Sequence, residues 1–364
     1  MKLKRIFIKI YQFIKNEYLQ NPFLEILGKL FQHSKSRRSL SFVLEYYYLY
    51  KNPLPYLKKR GGYPFQILVY HRILPEKDPY AIGVVSVIEF EKHIEALLSY
   101  FRIISLEKLI MELKTGEMAP NRICITFDDG YFDNFKYAFQ ILKKYSVPAT
   151  IFLTTDYIGT NEMLWHDKVL YAIKNTKIKY LQFGDSPIHK FHLRNQHEKI
   201  RTAHLLLEWL KKYPVQERNK WIEKIIDICG ISYFPRERMM LDWSEILEME
   251  KFGINFGAHT KTHPILSSLE DDQIREEVYG SKRIIEEKLG KSILTFAYPN
   301  GKLSDFDERC EQIVKEAGFH CAVTTCNGVN QHNQDSYKLA RFLPWDLDRD
   351  RFLGRIIWTR LKGY

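Results

Sequence analysis

Short apolar runs recur along this chain and alternate with longer segments of helical periodicity, which restricts the folds open to it. Phe65 to Tyr70, 123 to 127, Ala149 to Leu153, Ile254 to Ala258 and Ile293 to Tyr298 are such runs, with later strands expected at 321–324 and 338–343. Strands buried on both faces read as continuous apolar stretches. Between them, residues 89–115 carry Phe90, Ile94, Leu97 and Leu98, then Leu106 and Leu109, at helical spacing. Phe135, Ala138, Phe139 and Leu142 mark another helix, as do Ile274 to Leu289 and Cys310 to Ala317. Strand and helix in alternation predict an α/β fold, either an open parallel sheet or a barrel.

One long stretch breaks the rhythm. From Tyr157 to about Leu241 the chain is charged and largely helical, including Leu164 to Ile173, Leu205 to Leu210 and Trp221 to Ile228. An insertion of this size between core strands fits a lid or substrate-facing subdomain better than a connector. The expected organisation is therefore a helical extension at 1–64, a main domain at 65–345 carrying the insertion 157–241, and a basic helix or tail at 346–364.

Charge is distributed unevenly. The chain of 364 residues has a net charge of +11, of which residues 1–64 hold +10 and residues 341–364 hold +3, leaving the middle slightly acidic. Nucleic-acid binding favours a basic channel over the working surface itself, so this pattern argues against it and for a basic contact surface elsewhere. Near the amino terminus Leu3, Ile6, Phe7, Ile10, Phe13 and Ile14 recur at helical spacing among Lys2, Arg5, Lys9 and Lys15. Such a helix either lies on an anionic membrane surface or docks on the protein's own core. The cluster Tyr46, Tyr47, Tyr48 and Tyr50, next to Lys58, Lys59 and Arg60, favours the membrane surface. Lys9 and Lys15 interrupt any secretory signal, and no apolar run of about 18 residues exists to span a bilayer. The five cysteines show no paired ligand spacing and read as mostly free thiols in a reducing compartment, with a local Cys321–Cys326 pair left open. The expected location is the cytoplasm, at the inner face of the cell membrane.

The chemistry is concentrated at two strand ends. Thr126, Phe127, Asp128, Asp129 and Gly130 follow one apolar run, and His259 and His263 follow another. Strand ends are where parallel sheets present functional groups. The spacing of the histidines predicts both imidazoles on one face of a helical turn. With one carboxylate they would make a three-ligand site for a divalent ion with a position open for water, leaving the other carboxylate to act as a base. An Asp pair before Gly is also common turn chemistry, and a histidine pair is often surface decoration. It is the joint placement that separates this case from either.

These motifs resemble those of the polysaccharide deacetylases of NodB-homology type, carbohydrate esterase family four. The resemblance runs over roughly 65–345, interrupted by the insertion. It implies a deformed (β/α) barrel, hydrolysis of an N-acetyl group from an amino sugar, Asp128 as base, and Asp129, His259 and His263 as ligands of one divalent ion. That ion would be zinc, with cobalt, nickel or iron as alternatives. The chain departs from the pattern in two places. No late Leu-x-His motif is present near 339–347, where Leu339, Ala340, Arg341, Phe342, Leu343, Pro344 and Trp345 stand. A permuted branch, the poly-N-acetylglucosamine deacetylases, takes its acid histidine from the first strand, and Val69, Tyr70, His71, Arg72 matches it. His71 is thus the candidate acid, against a strand-end structural histidine. The third motif is altered to Phe296, Ala297, Tyr298, Pro299, Asn300, Gly301, Lys302 and lacks its usual Arg. Arg341 is the best substitute to orient Asp128, against an ordinary salt bridge. By the same resemblance the Tyr298 backbone N–H is expected to hold the developing oxyanion. Tyr131, which follows the Asp pair directly, is expected to line the pocket and, with Tyr298 and Asn300, to contact substrate. Trp165, His166 and Asp167 read as aromatic packing and a polar cap at a helix start, and no chemistry is assigned to them. The partner implied is an amino-sugar glycan or glycolipid, lipid-linked or polymeric. The alternatives are a soluble sugar or nucleotide-sugar deacetylase, and a noncatalytic glycan-binding protein on the same fold.

Overall fold

The computed structural model describes residues 63–81, 83–183, 190–344 and 348–362. The basic extension 1–64 therefore lies outside the described residues, except for its last two positions. In chain order the strands are β1 (Gln66–Tyr70), β2 (Ile73–Leu74), β3 (Val85–Ser86), β4 (Arg102–Ile103), β5 (Arg122–Phe127), β6 (Thr150–Leu153), β7 (Tyr180–Gln182), β8 (Lys190–His192), β9 (Asn255–Ala258), β10 (Thr295–Ala297), β11 (Cys321–Asn327) and β12 (Leu339–Arg341). The α-helices are α1 (Val87–Tyr100), α2 (Leu106–Thr115), α3 (Phe139–Tyr145), α4 (Trp165–Asn175), α5 (Gln196–Leu210), α6 (Val215–Ile228), α7 (Trp243–Lys251), α8 (Asp271–Leu289), α9 (Glu308–Glu316) and α10 (Arg349–Lys362).

Seven of these strands pair in parallel in the order β1, β5, β6, β9, β10, β11, β12. The last returns to the first: the Val69 N–H donates to the Phe342 carbonyl at 3.0 Å and the Phe342 N–H to the Ile67 carbonyl at 2.8 Å. The sheet is thus a nearly closed parallel barrel with helices around it, and β4 runs beside the start of β5. Alternation along the strands sorts side chains between two layers. Ile67, Cys124, Phe152, Ala297, Cys321, Val323 and Leu339 pack together with Leu106 and Leu109 of α2 as the barrel interior. Leu68, Tyr70, Ile123, Ile125, Phe127, Ile151, Leu153, Phe256 and Phe296 join the larger core against the surrounding helices. Both layers are apolar, which is why the strands are legible as unbroken apolar runs.

The helical pattern over 89–115 divides into α1 and α2. Phe101 adopts an extended conformation after α1, β4 follows, and the Ser105 hydroxyl accepts the Lys108 N–H to start a new helix. A side-chain N-cap supplies an acceptor for one of the orphan N–H groups of a first turn, so a serine there opens a helix where periodicity alone suggests continuation.

The insertion leaves the barrel after β6 and returns before β9. Its helices α4, α5 and α6, with the β7–β8 hairpin, enclose a separate apolar core that includes Val169, Ala203, Leu206, Leu210 and Ile225. At the other end of the chain, α10 buries Phe352, Leu353, Ile356 and Ile357, with Phe352 stacked on His93 of α1 at 3.9 Å between ring centroids. The five cysteines are all free, Cys321 and Cys326 among them. No described helix is long and apolar enough to cross a membrane.

Gly257 of β9 faces the barrel interior, where a Cβ would lie 2.6 Å from the Phe152 ring and 2.5 Å from the Thr295 hydroxyl. Neither neighbour is the free end of a flexible chain, so Gly257→Ala is expected to cost about 1–3 kcal/mol through overpacking. A lowered midpoint in thermal denaturation is the expected outcome; an unchanged midpoint would show slack in the interior.

Candidate active site

The acidic pair stands where β5 runs out. The Asp128 N–H still continues the ladder, donating to the Tyr70 carbonyl at 3.0 Å. The chain then reverses: Asp129 has φ +74°, and the Gly130 N–H donates back to the Asp128 carbonyl at 3.0 Å. A left-handed non-glycine residue costs about 1–3 kcal/mol. Its effect here is geometric. Successive strand residues point to opposite faces, yet both carboxylates line one cavity because the turn swings the second round to join the first. Gly130, at φ +84°, completes the turn where a Cβ would lie 3.0 Å from Leu153. The returning end of the insertion pins the segment, with the Leu241 N–H on the Gly130 carbonyl at 2.9 Å and the Phe132 N–H on the Met239 carbonyl at 2.7 Å.

Asp128 is held by a two-pronged ion pair. Arg341 Nη1 and Nη2 each lie 2.6 Å from one carboxylate oxygen, and Arg341 is wholly buried. Its Nε donates to the Thr324 carbonyl at 2.7 Å, and Nη1 also reaches the Thr126 hydroxyl at 3.2 Å. Burial alone would raise the Asp128 carboxyl, but Arg341, and after it His259, outweigh burial and hold it below the usual carboxylate range. It is therefore ionised near neutrality and able to take a proton.

Asp129, His259 and His263 converge beside it, with ligand atoms all within 4.8 Å of one another and all three residues buried. Asp129 Oδ1 lies 3.5 Å from His259 Nε2 and 3.3 Å from His263 Nε2, and it has no hydrogen-bond partner. His259 Nδ1 is 2.7 Å from the Ala297 carbonyl. The carbonyl only accepts, so Nδ1 carries the proton and the Nε2 lone pair faces Asp129. Burial pushes His263 down to about 4, leaving that imidazole neutral; at His259 the neighbouring Asp129 and Asp128 outweigh burial and tilt it upward. An orphaned buried oxygen and two imidazole nitrogens aimed at one point suit a single divalent ion.

The histidines do not share a helical turn as their spacing predicts. Thr260 and His263 both have positive φ, +66° and +58°, which no right-handed helix accommodates. The loop is fixed from outside: Glu277 of α8 accepts the Lys261 and Thr262 N–H groups at 2.8 and 2.9 Å, and the Thr260 hydroxyl accepts the His263 N–H at 3.1 Å.

His71, just past β1, brings Nε2 to 4.0 Å from Asp128 Oδ2, and its carbonyl accepts from Asn134 Nδ2 at 2.8 Å. Asn300 lines the same cavity, in a left-handed conformation and with a buried Nδ2 that has no partner. Tyr298 departs from expectation. Its N–H donates to the Val323 carbonyl at 3.2 Å as part of the β10–β11 pairing, and its ring stacks on Phe306 at 3.8 Å, outside the cavity lining. The sheet has already claimed the donor assigned to the oxyanion.

Tyr131 lines the cavity, but its hydroxyl is committed to the insertion: it donates to Asp167 Oδ2 at 2.9 Å and lies 3.0 Å from His166 Nε2. Having spent its proton on Asp167, the hydroxyl accepts from His166, so the Nε2–H tautomer is fixed. Arg72 sits 4.8 Å above the Tyr131 ring and pairs with Asp133 at 2.8 Å. Trp165, His166 and Asp167, given no chemistry by sequence, thus form one wall of the site. The adjacency of three such side chains was the available signal; the Tyr131 contact that gives it meaning is tertiary.

A cavity of about 330 Å³ gathers these groups. A nearly closed parallel barrel carries at its strand ends a triad able to hold a metal ion and a buried carboxylate–guanidinium pair, and the chain belongs to the polysaccharide deacetylase family, whose model matches residues 115–322. His71 and Arg341 lie outside that match. YxkH of Bacillus subtilis, a protein of the polysaccharide deacetylase kind, is 23% identical over 70% of this chain and 63% of its own length. The poly-β-1,6-N-acetyl-D-glucosamine N-deacetylase of Staphylococcus aureus is 32% identical over 26% of this chain and 33% of its own. This chain therefore spans less than two thirds of either relative. Among solved structures, the Streptococcus pyogenes deacetylase PplD, in complex with acetate, superimposes with a TM-score of 0.55 at 19% identity, covering 81% of this chain and 98% of that one. IcaB from Ammonifex degensii gives 0.53 at 18% identity, over 82% and 98%. These two show the fold.

Burial raises the Asp167 carboxyl to about 6. A group raised in the folded state favours folding while both states are protonated, and that advantage is lost as pH rises from about 4 to about 6. The loss is roughly 3 kcal/mol for a shift of this size. Asp167→Asn keeps an acceptor for Tyr131 without the charge, so it is expected to melt higher than the parent at pH 7 and to converge with it near pH 4. Parallel melting curves across that range would show that Asp167 titrates normally.

Proposed function

We propose that this chain hydrolyses an N-acetyl group from an amino sugar of a glycan, with one divalent ion held by Asp129, His259 and His263. The observation that carries the reading is the ionised, guanidinium-clamped Asp128 beside that triad, with His71 across from it. The ion, when bound, supplies Lewis acidity to an acetyl carbonyl and its attacking water. Asp128 takes the proton of that water as its oxygen bonds to the acetyl carbon. His71 Nε2 gives a proton to the sugar nitrogen as the C–N bond breaks, so that acetate and a free amine leave. Asn300 Nδ2 is a spare donor at the cavity wall for a substrate oxygen. The relatives support the substrate class: the staphylococcal protein is named for an N-acetylated amino-sugar polymer, and PplD was captured with acetate.

Zinc is the ion of choice for an Asp, His, His set with an open position. The finer setting is a glycolipid or lipid-linked glycan at the inner face of the cell membrane. The charge of +10 over residues 1–64 supports it through attraction to anionic headgroups.

Asp128→Asn is expected to keep metal content, read by elemental analysis, while acetate release from N-acetylated oligosaccharides falls a hundredfold or more, about the scale of lost general-base catalysis. Undiminished release would remove Asp128 from the role of base. Arg341→Met strands a buried carboxylate and is expected to cost about 3–5 kcal/mol together with most turnover. Adding Asp128→Asn to it should recover much of the stability in denaturant titrations and none of the turnover. Additive stability losses would mean the two side chains are not coupled.

A further inference from the structure

The insertion brings into the site an imidazole that the proton transfers leave unused. The first turn of α4 supplies Trp165, His166 and Asp167, and all three line the cavity. The His166 ring is held in place by its neighbours. Its Nε2–H is spent on the Tyr131 hydroxyl at 3.0 Å, and the ring meets His263 at 5.4 Å and Trp165 at 5.6 Å between centroids, both T-shaped. An imidazole beside a divalent ion stays neutral, so Nδ1 keeps its lone pair and can only accept. Nδ1 has no partner among the described residues, and 20% of the side chain is exposed. Nor is His166 a ligand: among the described residues, the cluster able to hold an ion comprises Asp129, His259 and His263. His166 is thus an oriented acceptor beside the reacting centre with no donor of its own.

Hydrolysis of an acetamide places a demand on the nitrogen that ester hydrolysis does not place on oxygen. As the attacked carbon becomes tetrahedral, the nitrogen must turn its lone pair to the acid, and its N–H must point elsewhere. His71, the proton donor of the proposed reaction, lines the same cavity as His166. We propose that His166 Nδ1 accepts a hydrogen bond from the acetamide N–H, so that the nitrogen lone pair faces His71, and that this contact makes the site select N-acetyl over O-acetyl groups. The N–H hydrogen stays on nitrogen throughout. His71 adds one proton to the lone pair, the C–N bonding pair goes to nitrogen as that bond breaks, and the amine leaves with both hydrogens while His166 ends as it began. An O-acetyl group sets an oxygen lone pair against that of Nδ1 and leaves a polar atom of the site unpaired, which is how a site rejects a near-isostere. The proposal rests on the deacetylase reading and specifies the bond it cleaves. It also gives the Tyr131 contact with Asp167 a function: by taking the hydroxyl proton, Asp167 keeps His166 in the tautomer that accepts.

The test uses the full chain loaded with zinc and compares methyl N-acetylglucosaminide with the methyl glucoside acetylated on oxygen at the same carbon. His166→Leu is expected to lower kcat/KM for the amide about tenfold or more beyond any loss on the ester, with zinc content unchanged by elemental analysis. His166→Asn, whose side-chain oxygen takes the place of Nδ1 as acceptor, is expected to restore most of the preference. Equal losses on the two substrates, or none, overturn the proposal. A second readout needs no turnover. In the zinc-loaded Asp128→Asn chain, the nitrogen NMR signal of His166 Nδ1 is expected to move on adding the amide and not the ester. A signal that ignores the amide, or follows both alike, overturns the proposal. If the parent chain releases acetate from neither glycoside nor from a pentamer of N-acetylglucosamine, the deacetylase reading fails, and the NMR comparison alone decides the contact.

Discussion

The rest of this site depends on a charge pair placed where charge is expensive. Arg341 and Asp128 meet at the upper end of the barrel interior, with the guanidinium wholly buried. Removing two ions from water costs several kcal/mol each, so the pair depends on further hydrogen bonds to the guanidinium. Arg341 Nε goes to the Thr324 carbonyl, and Nη1 is shared with the Thr126 hydroxyl, whose own proton goes to the Leu68 carbonyl at 2.7 Å. Strands β1, β5, β11 and β12 each contribute a group to one network. The few hydrogen bonds that join β12 to β1 are therefore reinforced by a polar link across the barrel, and the catalytic candidate is also a structural member.

The same economy governs Asp129. Its left-handed turn is strained, yet it gives adjacent residues different electrostatic surroundings. Asp128 faces a permanent cation, and Asp129 faces two imidazoles with an oxygen left open. Two carboxylates in one environment would have to share a proton. Here both are held ionised, one by Arg341 and the other by His259 and His263, against burial in each case. Roles can then divide between neighbours in sequence.

How much of this was legible depended on whether the cause was local. The barrel strands could be read because each is apolar on both faces, and the paired motifs because each follows such a strand. Arg341 could be named as the partner of Asp128 because it replaces, in a late strand, the Arg missing from 296–302. Spacing misled at His259 and His263, where Glu277 and Thr260 stabilise a loop that periodicity cannot see. The family resemblance misled at Tyr298, whose N–H the β10–β11 pairing consumes. His166 and Asp167 were assigned a helix-start role that suits their position on α4. Their approach to Tyr131 depends on how the insertion folds back, which no local pattern encodes.

That fold-back joins reaction to recognition. The insertion's core is separate from the barrel's, so its position over the site is set by contacts at its margins. Most of the charged ties are exposed and weak; pairs such as Glu208–Lys302 contribute about 0–1 kcal/mol. The stronger anchors are buried or half-buried and lie beside the chemistry: the Leu241 N–H on the Gly130 carbonyl, the Phe132 N–H on the Met239 carbonyl, and the Tyr131 hydroxyl on Asp167. Movement of the roof is therefore communicated first to the turn that presents Asp128 and Asp129. A substrate that settles under α4 and α5 without disturbing those anchors leaves the acidic pair in register, and one that forces the roof upward pulls on the segment that must stay still. Seating of a ligand under α4 and α5 and alignment of the carboxylates are, on this geometry, one mechanical condition.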